Sequence, residues 1–214
     1  PLFILYTSGS TGKPKGIVHS TGGYLTYVNI TFKEAFNYKE NEIHWCTADA
    51  GWLTGHSYVV YGPLSNGATI FIHEGIPYYP NSTTHFDLID KYKINIYYTA
   101  PTAIRALMKV NPNLSKYKGD SLRVIGSVGE PINESAWEWY FENVGKKRCP
   151  IIDTWWQTET GGFMLYPDFE KGLKKPSFAC KAHFRQKPMI LTESGKELGS
   201  YKEGNLVFKN SWPG

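Results

Sequence analysis

Long apolar runs are missing from this 214-residue chain; none approaches the roughly 20 residues that a membrane-spanning helix requires. No secretory leader is expected either, since the chain opens at Pro1 and passes straight into an apolar strand pattern. Cysteine is scarce: Cys46, Cys149 and Cys180 show no metal-ligand spacing, and any pairing leaves one thiol over. A reducing cytoplasm is the expected setting. Charge of one sign is not in marked excess either, because 23 Lys and Arg stand against 19 Asp and Glu for a net +4. The basic residues are dispersed apart from Lys146-Lys147-Arg148 and a lysine-rich patch at 171–175. Without a basic stripe, neither a nucleic acid nor a membrane is expected as partner. No internal repeat, no low-complexity tract, no Gly-x-Ser-x-Gly nucleophile elbow and no triad-like pairing occurs. What is present is 41% apolar, enough for one sizeable domain that buries about 70% of its unfolded surface.

Short β-rich runs alternate with helical periodicity through the first three quarters, the signature of an α/β fold with largely parallel sheets flanked by helices. The pattern predicts strands over 2–6, 42–47, 68–72, 94–98, 123–128 and 151–154, and helices over 23–36, 56–64, 85–92, 102–110 and 134–143. Pro101 and Thr102 suit a helix start. Beyond Gly162 the pattern changes to turns and short strands at 188–192 and 205–209, with Glu193-Ser194-Gly195 as a turn. The expected organisation is therefore an α/β core over 1–162 and a short β-rich tail over 163–214 of the same domain.

The run Tyr6-Thr7-Ser8-Gly9-Ser10-Thr11-Gly12-Lys13-Pro14-Lys15-Gly16 follows the first strand and gathers hydroxyls, glycines and lysines. Glycines let backbone amides approach an anion, hydroxyls bond its oxygens and lysines supply charge. A Walker loop is excluded: Thr7 stands where its first glycine belongs, and Pro14 follows Lys13 in place of Ser or Thr. Pro14 also keeps the loop from opening directly into a helix. A flexible Ser/Gly turn has the same composition, but the two lysines and the preceding strand favour phosphate binding. Two later runs follow predicted strands as well: Gly126-Ser127-Val128-Gly129-Glu130-Pro131-Ile132, and Asp153-Thr154-Trp155-Trp156-Gln157-Thr158-Glu159-Thr160-Gly161-Gly162. Open α/β sheets bind ligands outside the carboxyl ends of their strands, and all three runs are expected to meet there.

In these three runs the chain resembles the adenylate-forming enzymes. The doubled tryptophan, with Gly51-Trp52-Leu53-Thr54-Gly55-His56-Ser57, resembles their short-chain branch, the AMP-forming acetyl-CoA or propionyl-CoA synthetases. The resemblance spans nearly the whole chain. It implies that a carboxylate attacks the α-phosphorus of ATP to give an acyl-adenylate and pyrophosphate, after which CoA takes the acyl group. A simple carboxylate with a pKa of about 4 to 5 is already ionised, so the first step needs no general base. Catalysis then rests on positioning and on stabilising phosphate charge.

By the same resemblance Thr7, Ser8, Ser10, Thr11 and Lys15 face the β- and γ-phosphates, with Gly9 and Gly12 giving backbone approach; Lys13 either joins them or is a solvated flank. Thr158 bonds the α-phosphate and Glu159 holds Mg²⁺, a hard cation suited to one carboxylate plus phosphate oxygens, although a loop glutamate is otherwise simply solvated. Gly129, Glu130 and Pro131 form the adenine segment, which is compatible with a turn into a helix capped near Asn133. Asp153 and Thr154 lie at the adenine rim beside Gln157, and Trp155 offers a flat face to the purine. Adjacent residues of an extended segment point to opposite sides, so Trp156 turns into a small acyl pocket with Leu53, Thr54 and Val128 as walls. Core packing is the competing role for both tryptophans. His56 either closes the acyl site or simply starts a helix, and His19 is assigned no role.

The resemblance also implies a longer parent chain, of which this would be an internal piece without the mobile C-terminal domain and inactive on its own. At Ala182-His183-Phe184-Arg185 the chain departs from the proline and glycine turn usual in these synthetases. Acetate or propionate, ATP and CoA are the expected partners. A medium-chain or aryl ligase, and a non-catalytic nucleotide-binding derivative, remain as alternatives.

Overall fold

The computed structural model describes residues 1–8, 12–170, 175–178, 182 and 186–213. The chain enters through an antiparallel hairpin, β1 (Phe3–Thr7) and β2 (Lys15–His19), registered from Phe3 opposite His19 to Thr7 opposite Lys15. Alternation follows the two-residue period of a half-buried strand: Phe3 and Leu5 turn inward, whereas Ile4 and Tyr6 are exposed. This differs from the expectation for the first run. The described residues flanking the hydroxyl and lysine run belong to a separate two-stranded sheet, not to the ligand edge of the parallel one. Pro14 does keep a helix from starting there, and the chain returns as β2.

Helix α1 (Thr21–Ala35) leads into β3 (Ile43–Cys46). A broken helix follows, formed by α2 (Leu53–Gly55), a π-helical turn His56–Tyr61 and α3 (Gly62–Ser65). The predicted helix over 56–64 is wound this way because Pro63 lacks an N–H, and the Gly62 N–H bonds the Ser57 carbonyl five residues back. Next come β4 (Thr69–Ile70), α4 (Thr84–Tyr92), β5 (Ile96–Thr99), α5 (Pro101–Val110), β6 (Val124–Ser127), α6 (Glu134–Trp139) with a π turn Tyr140–Val144, and β7 (Ile151–Asp153). The expected start signals are present: Pro101 opens α5, and Asn133 Oδ1 accepts from Ala136 N at 3.0 Å to cap α6.

The five later strands form one parallel sheet in the order β4-β3-β5-β6-β7. The residues of β5 and β6 are all buried, so alternation sends side chains into two separate cores. On one face Trp45, Tyr97, Ile125 and Ile151 meet Phe86, Ile89, Ile104 and Tyr140. On the other, Tyr98, Val124 and Ile152 meet Phe32, Phe36, Tyr58 and Phe163. The tail forms an antiparallel hairpin, β8 (Pro188–Leu191) and β9 (Asn205–Phe208). Ala182 bridges to Leu165, while residues 183–185 of the departing segment and Cys180 lie outside the described residues. No helix among the described residues is long and apolar enough to cross a membrane.

Candidate functional site

Beyond the carboxyl ends of β6 and β7 the chain opens a cavity of about 360 Å³, lined by Gly129, Glu130 and Pro131 on one side and by Asp153, Thr154, Trp155, Trp156 and Gln157 on the other. This lies within the roughly 300–1,000 Å³ range of small-ligand clefts. Ser177, which the sequence did not flag, completes the lining and is held by a 2.7 Å bond to the Ile132 carbonyl. Gly129 sits at φ +96°, a conformation costly for other residues, and a Cβ there would meet nothing within 4 Å. Its backbone is therefore open to a flat ligand. The Glu130 side chain is committed to α5, where the Thr102 hydroxyl and then Arg105, at 3.0 and 3.1 Å, hold its carboxyl below the usual range.

Asp153 is only 7% exposed, and burial pushes its carboxyl up to about 6, partly offset by the Ser127 hydroxyl. Thr154 lines the cavity, but its hydroxyl is already used: Oγ1 donates to the Ser127 carbonyl at 2.9 Å and accepts from Tyr98 at 2.7 Å. Among the described residues Trp155 has one ring partner, Phe208, at 5.9 Å and 28° between ring planes. Trp156 packs edge-on against Tyr58 and Phe163, with centroids 5.1 and 5.7 Å away. The doubled tryptophan thus serves the cavity and the core together.

The following turn, Thr158–Thr160, is held group by group. His19 Nε2 donates to the Thr158 carbonyl at 2.9 Å, and Trp212 Nε1 to the Thr160 carbonyl at 2.8 Å. Ser57 Oγ donates to the Gly161 carbonyl at 2.7 Å and accepts from Tyr24. Tyr27 donates to the Phe163 carbonyl, and the Phe163 N–H donates to Tyr58, each at 2.7 Å. A carbonyl only accepts, so the His19 proton is on Nε2; burial, the largest effect, lowers the pKa of the ring and favours this neutral form. Gly161 adopts φ +73°, and a Cβ there would come within 2.9 Å of His19 Cε1. Such anchoring fixes a turn before any ligand arrives.

The hydroxyl and lysine run lies at the other end of its hairpin. Gly9, Ser10 and Thr11 fall outside the described residues, and Ser8, Gly12, Lys13 and Lys15 are exposed at the tip. Thr7 Oγ1 is buried with no partner among the described residues. The structure brings the second and third motifs into one cavity and joins the hairpin to the third through His19; Lys15 is not among the described residues that line that cavity.

A second, largely apolar cavity of about 340 Å³ opens beyond β3 and β5, with Thr47, Ala48, Thr99, Ala100, Tyr78 and Val128 among its walls. Of the expected acyl-pocket residues it contains Val128 alone; Trp156 lines the first cavity, while Leu53, buried, and Thr54, half-buried, line neither. His56 is also outside both: its Nδ1 donates to the Trp52 carbonyl at 3.1 Å and its ring packs on Phe3, as in the helix-starting alternative. The buried thiols are poor nucleophiles, since burial pushes Cys46 up to about 12 and raises Cys149.

No group of three or more potential metal ligands occurs among the described residues. Glu159 is exposed and has no hydrogen-bond or ion-pair partner there. One uncommitted carboxylate on an anchored turn fits a Mg²⁺ that completes its shell with phosphate oxygens and water, and the orphaned Thr7 hydroxyl and the open face of Gly129 fit a nucleotide.

The AMP-binding enzyme family matches residues 1–212. Acetyl-coenzyme A synthetase 2 of Pseudomonas putida is 57% identical over the whole of this chain, and acetyl-coenzyme A synthetases of Shewanella denitrificans and Xanthobacter autotrophicus are 55% and 56% identical. The chain spans 33% of the length of each. With its two matched motifs facing one cleft, this chain belongs to the AMP-binding enzyme family.

Proposed function

We propose that this chain supplies the nucleotide and acyl sites of an AMP-forming short-chain acyl-CoA synthetase, acting on acetate first and propionate second. The observation that carries the reading is the single cavity shared by the Gly129 segment and the Asp153–Gln157 run, with uncommitted Glu159 on the anchored turn beside it. The purine lies against the open backbone of Gly129, between Pro131 and Trp155; stacking of a base on an aromatic ring is worth about 1–3 kcal/mol. Thr158 orients the α-phosphate, and the hairpin residues Thr7, Ser8, Ser10, Thr11 and Lys15 hold the β- and γ-phosphates. Mg²⁺, when bound through Glu159, neutralises phosphate charge. The substrate carboxylate attacks the α-phosphorus already ionised, so no residue need act as general base.

The indole of Trp156, packed edge-on against Tyr58 and Phe163, limits chain length from the first cavity, and Val128 bounds the neighbouring apolar cavity. The apolar cavity beyond Val128, which Trp156 does not line, suits the approach of the CoA thiol. Residues 163–214 complete the same domain, since Phe208 and Trp212 pack on the motif itself. A reducing cytoplasm accords with the unpaired, buried Cys46 and Cys149. Turnover of the whole reaction is expected to need the further length found in the relatives. Calorimetric titration of the 214-residue chain with ATP tests the reading. One Mg²⁺-dependent site is expected; no binding, or binding indifferent to Mg²⁺, overturns it.

A further inference from the structure

We infer that His19 is a positioning residue that ties the phosphate hairpin to the Thr158–Glu159 turn, and so sets the spacing between the groups that hold the β- and γ-phosphates and those that hold the α-phosphate. This rests on the proposed nucleotide reading. His19 ends β2 and is 2% exposed. Its ring is fixed on several sides, with centroids 5.1 Å from Phe3 and 5.2 Å from Tyr24, and with Gly161 directly against it. The Nε2 proton reaches the Thr158 carbonyl across 139 residues of sequence.

The other anchors of the turn come from elsewhere in the fold: Tyr27 from α1, Ser57 and Tyr58 from the π turn, and Trp212 from the tail. Removing the His19 bond therefore leaves the turn held and takes away the hairpin's direct hydrogen bond to it, while Phe3 stays packed on Tyr24, His56 and Tyr61. Lys15 stands four residues along the same strand, about 13 Å away at strand rise, so a small rotation at His19 becomes a larger displacement at the tip. Phe3, opposite His19 in register, is the pivot, because its ring stays against Tyr24 and His56.

A pair of variants of equal chain length isolates the bond. His19→Gln keeps a donor near the position of Nε2; His19→Met fills similar space without one. Binding of ATP with Mg²⁺ and of AMP is measured by calorimetry on the 214-residue chain, and amide hydrogen exchange on the ligand-free chain. The expected result is that His19→Met weakens ATP about tenfold, equal to about 1.4 kcal/mol, with AMP nearly unchanged, and speeds exchange within the hairpin, while His19→Gln stays close to wild type. Equal loss of AMP and ATP, or wild-type exchange in His19→Met, overturns the inference. Unfolding of His19→Met by circular dichroism overturns it in favour of a purely structural role. If the wild-type chain binds no nucleotide, the functional reading fails, and the exchange result alone still decides whether His19 couples hairpin and turn.

Discussion

Replacing Asp153 with asparagine should stabilise this chain, and the gain should depend on pH. In the folded chain burial moves the Asp153 carboxyl from 3.8 to about 6. The folded state therefore holds a proton that the unfolded state has already released between those values. By linkage, stability falls as pH rises from about 4 through about 6 and is level above. At about 1.36 kcal/mol per unit, ionised Asp153 costs the fold about 3 kcal/mol at neutral pH, and about half of that at pH 5. Asparagine keeps the shape and cannot ionise, so Asp153→Asn should gain on wild type across that window and hold its advantage above pH 7. Urea unfolding at a series of pH values measures this, with the change in the difference as the diagnostic, because a new amide contact would shift all values alike. Parallel profiles for the two proteins would refute the reasoning. A carboxylate kept at such a cost on a cavity wall is what a binding site retains against stability.

Gly161→Ala should cost about 2–4 kcal/mol by combining a left-handed backbone with a methyl pressed on buried His19 and Tyr24; urea unfolding within about 0.5 kcal/mol of wild type would contradict it. Glu159→Gln should leave stability within about 0.5 kcal/mol of wild type, because the side chain is exposed and unpartnered. It should nevertheless weaken Mg²⁺-dependent ATP binding by about tenfold or more, and calorimetry showing equal affinity would remove Glu159 as the metal ligand. In a full-length enzyme, Trp156→Gly should shift preference toward longer carboxylates by up to about fourfold per methylene, matching about 0.8 kcal/mol each. An unchanged chain-length profile would take Trp156 out of the acyl pocket.

The parallel sheet was legible because its strands are short apolar runs between strong helical periods, and a strand buried on both faces has no alternation to be misread. The Asn133 cap and the Pro101 start were legible because such signals are local. The first strand was expected to end at the ligand edge of the parallel sheet and instead pairs with β2, because one apolar strand reads the same whether its neighbour is parallel or antiparallel, and the pairing of Phe3 with His19 is settled by the return path after Pro14. His19, Tyr24, Tyr27, Ser57 and Trp212 escaped notice as site residues for a different reason. Each acts through hydrogen bonds to groups distant in sequence, and such contacts leave no period or motif in the chain. Likewise nothing in Asp153-Thr154 shows that the threonine hydroxyl is already spent on Tyr98 and the Ser127 carbonyl.

The measurement that bears most directly on the whole account is an amide NMR titration of the chain with ATP and Mg²⁺. Resonances of Gly12 and Lys15, of Gly129 and Glu130, and of Thr158 and Glu159 should shift together along one binding curve. Shifts confined to one segment, or segments that follow different curves, would contradict a single nucleotide held by all three.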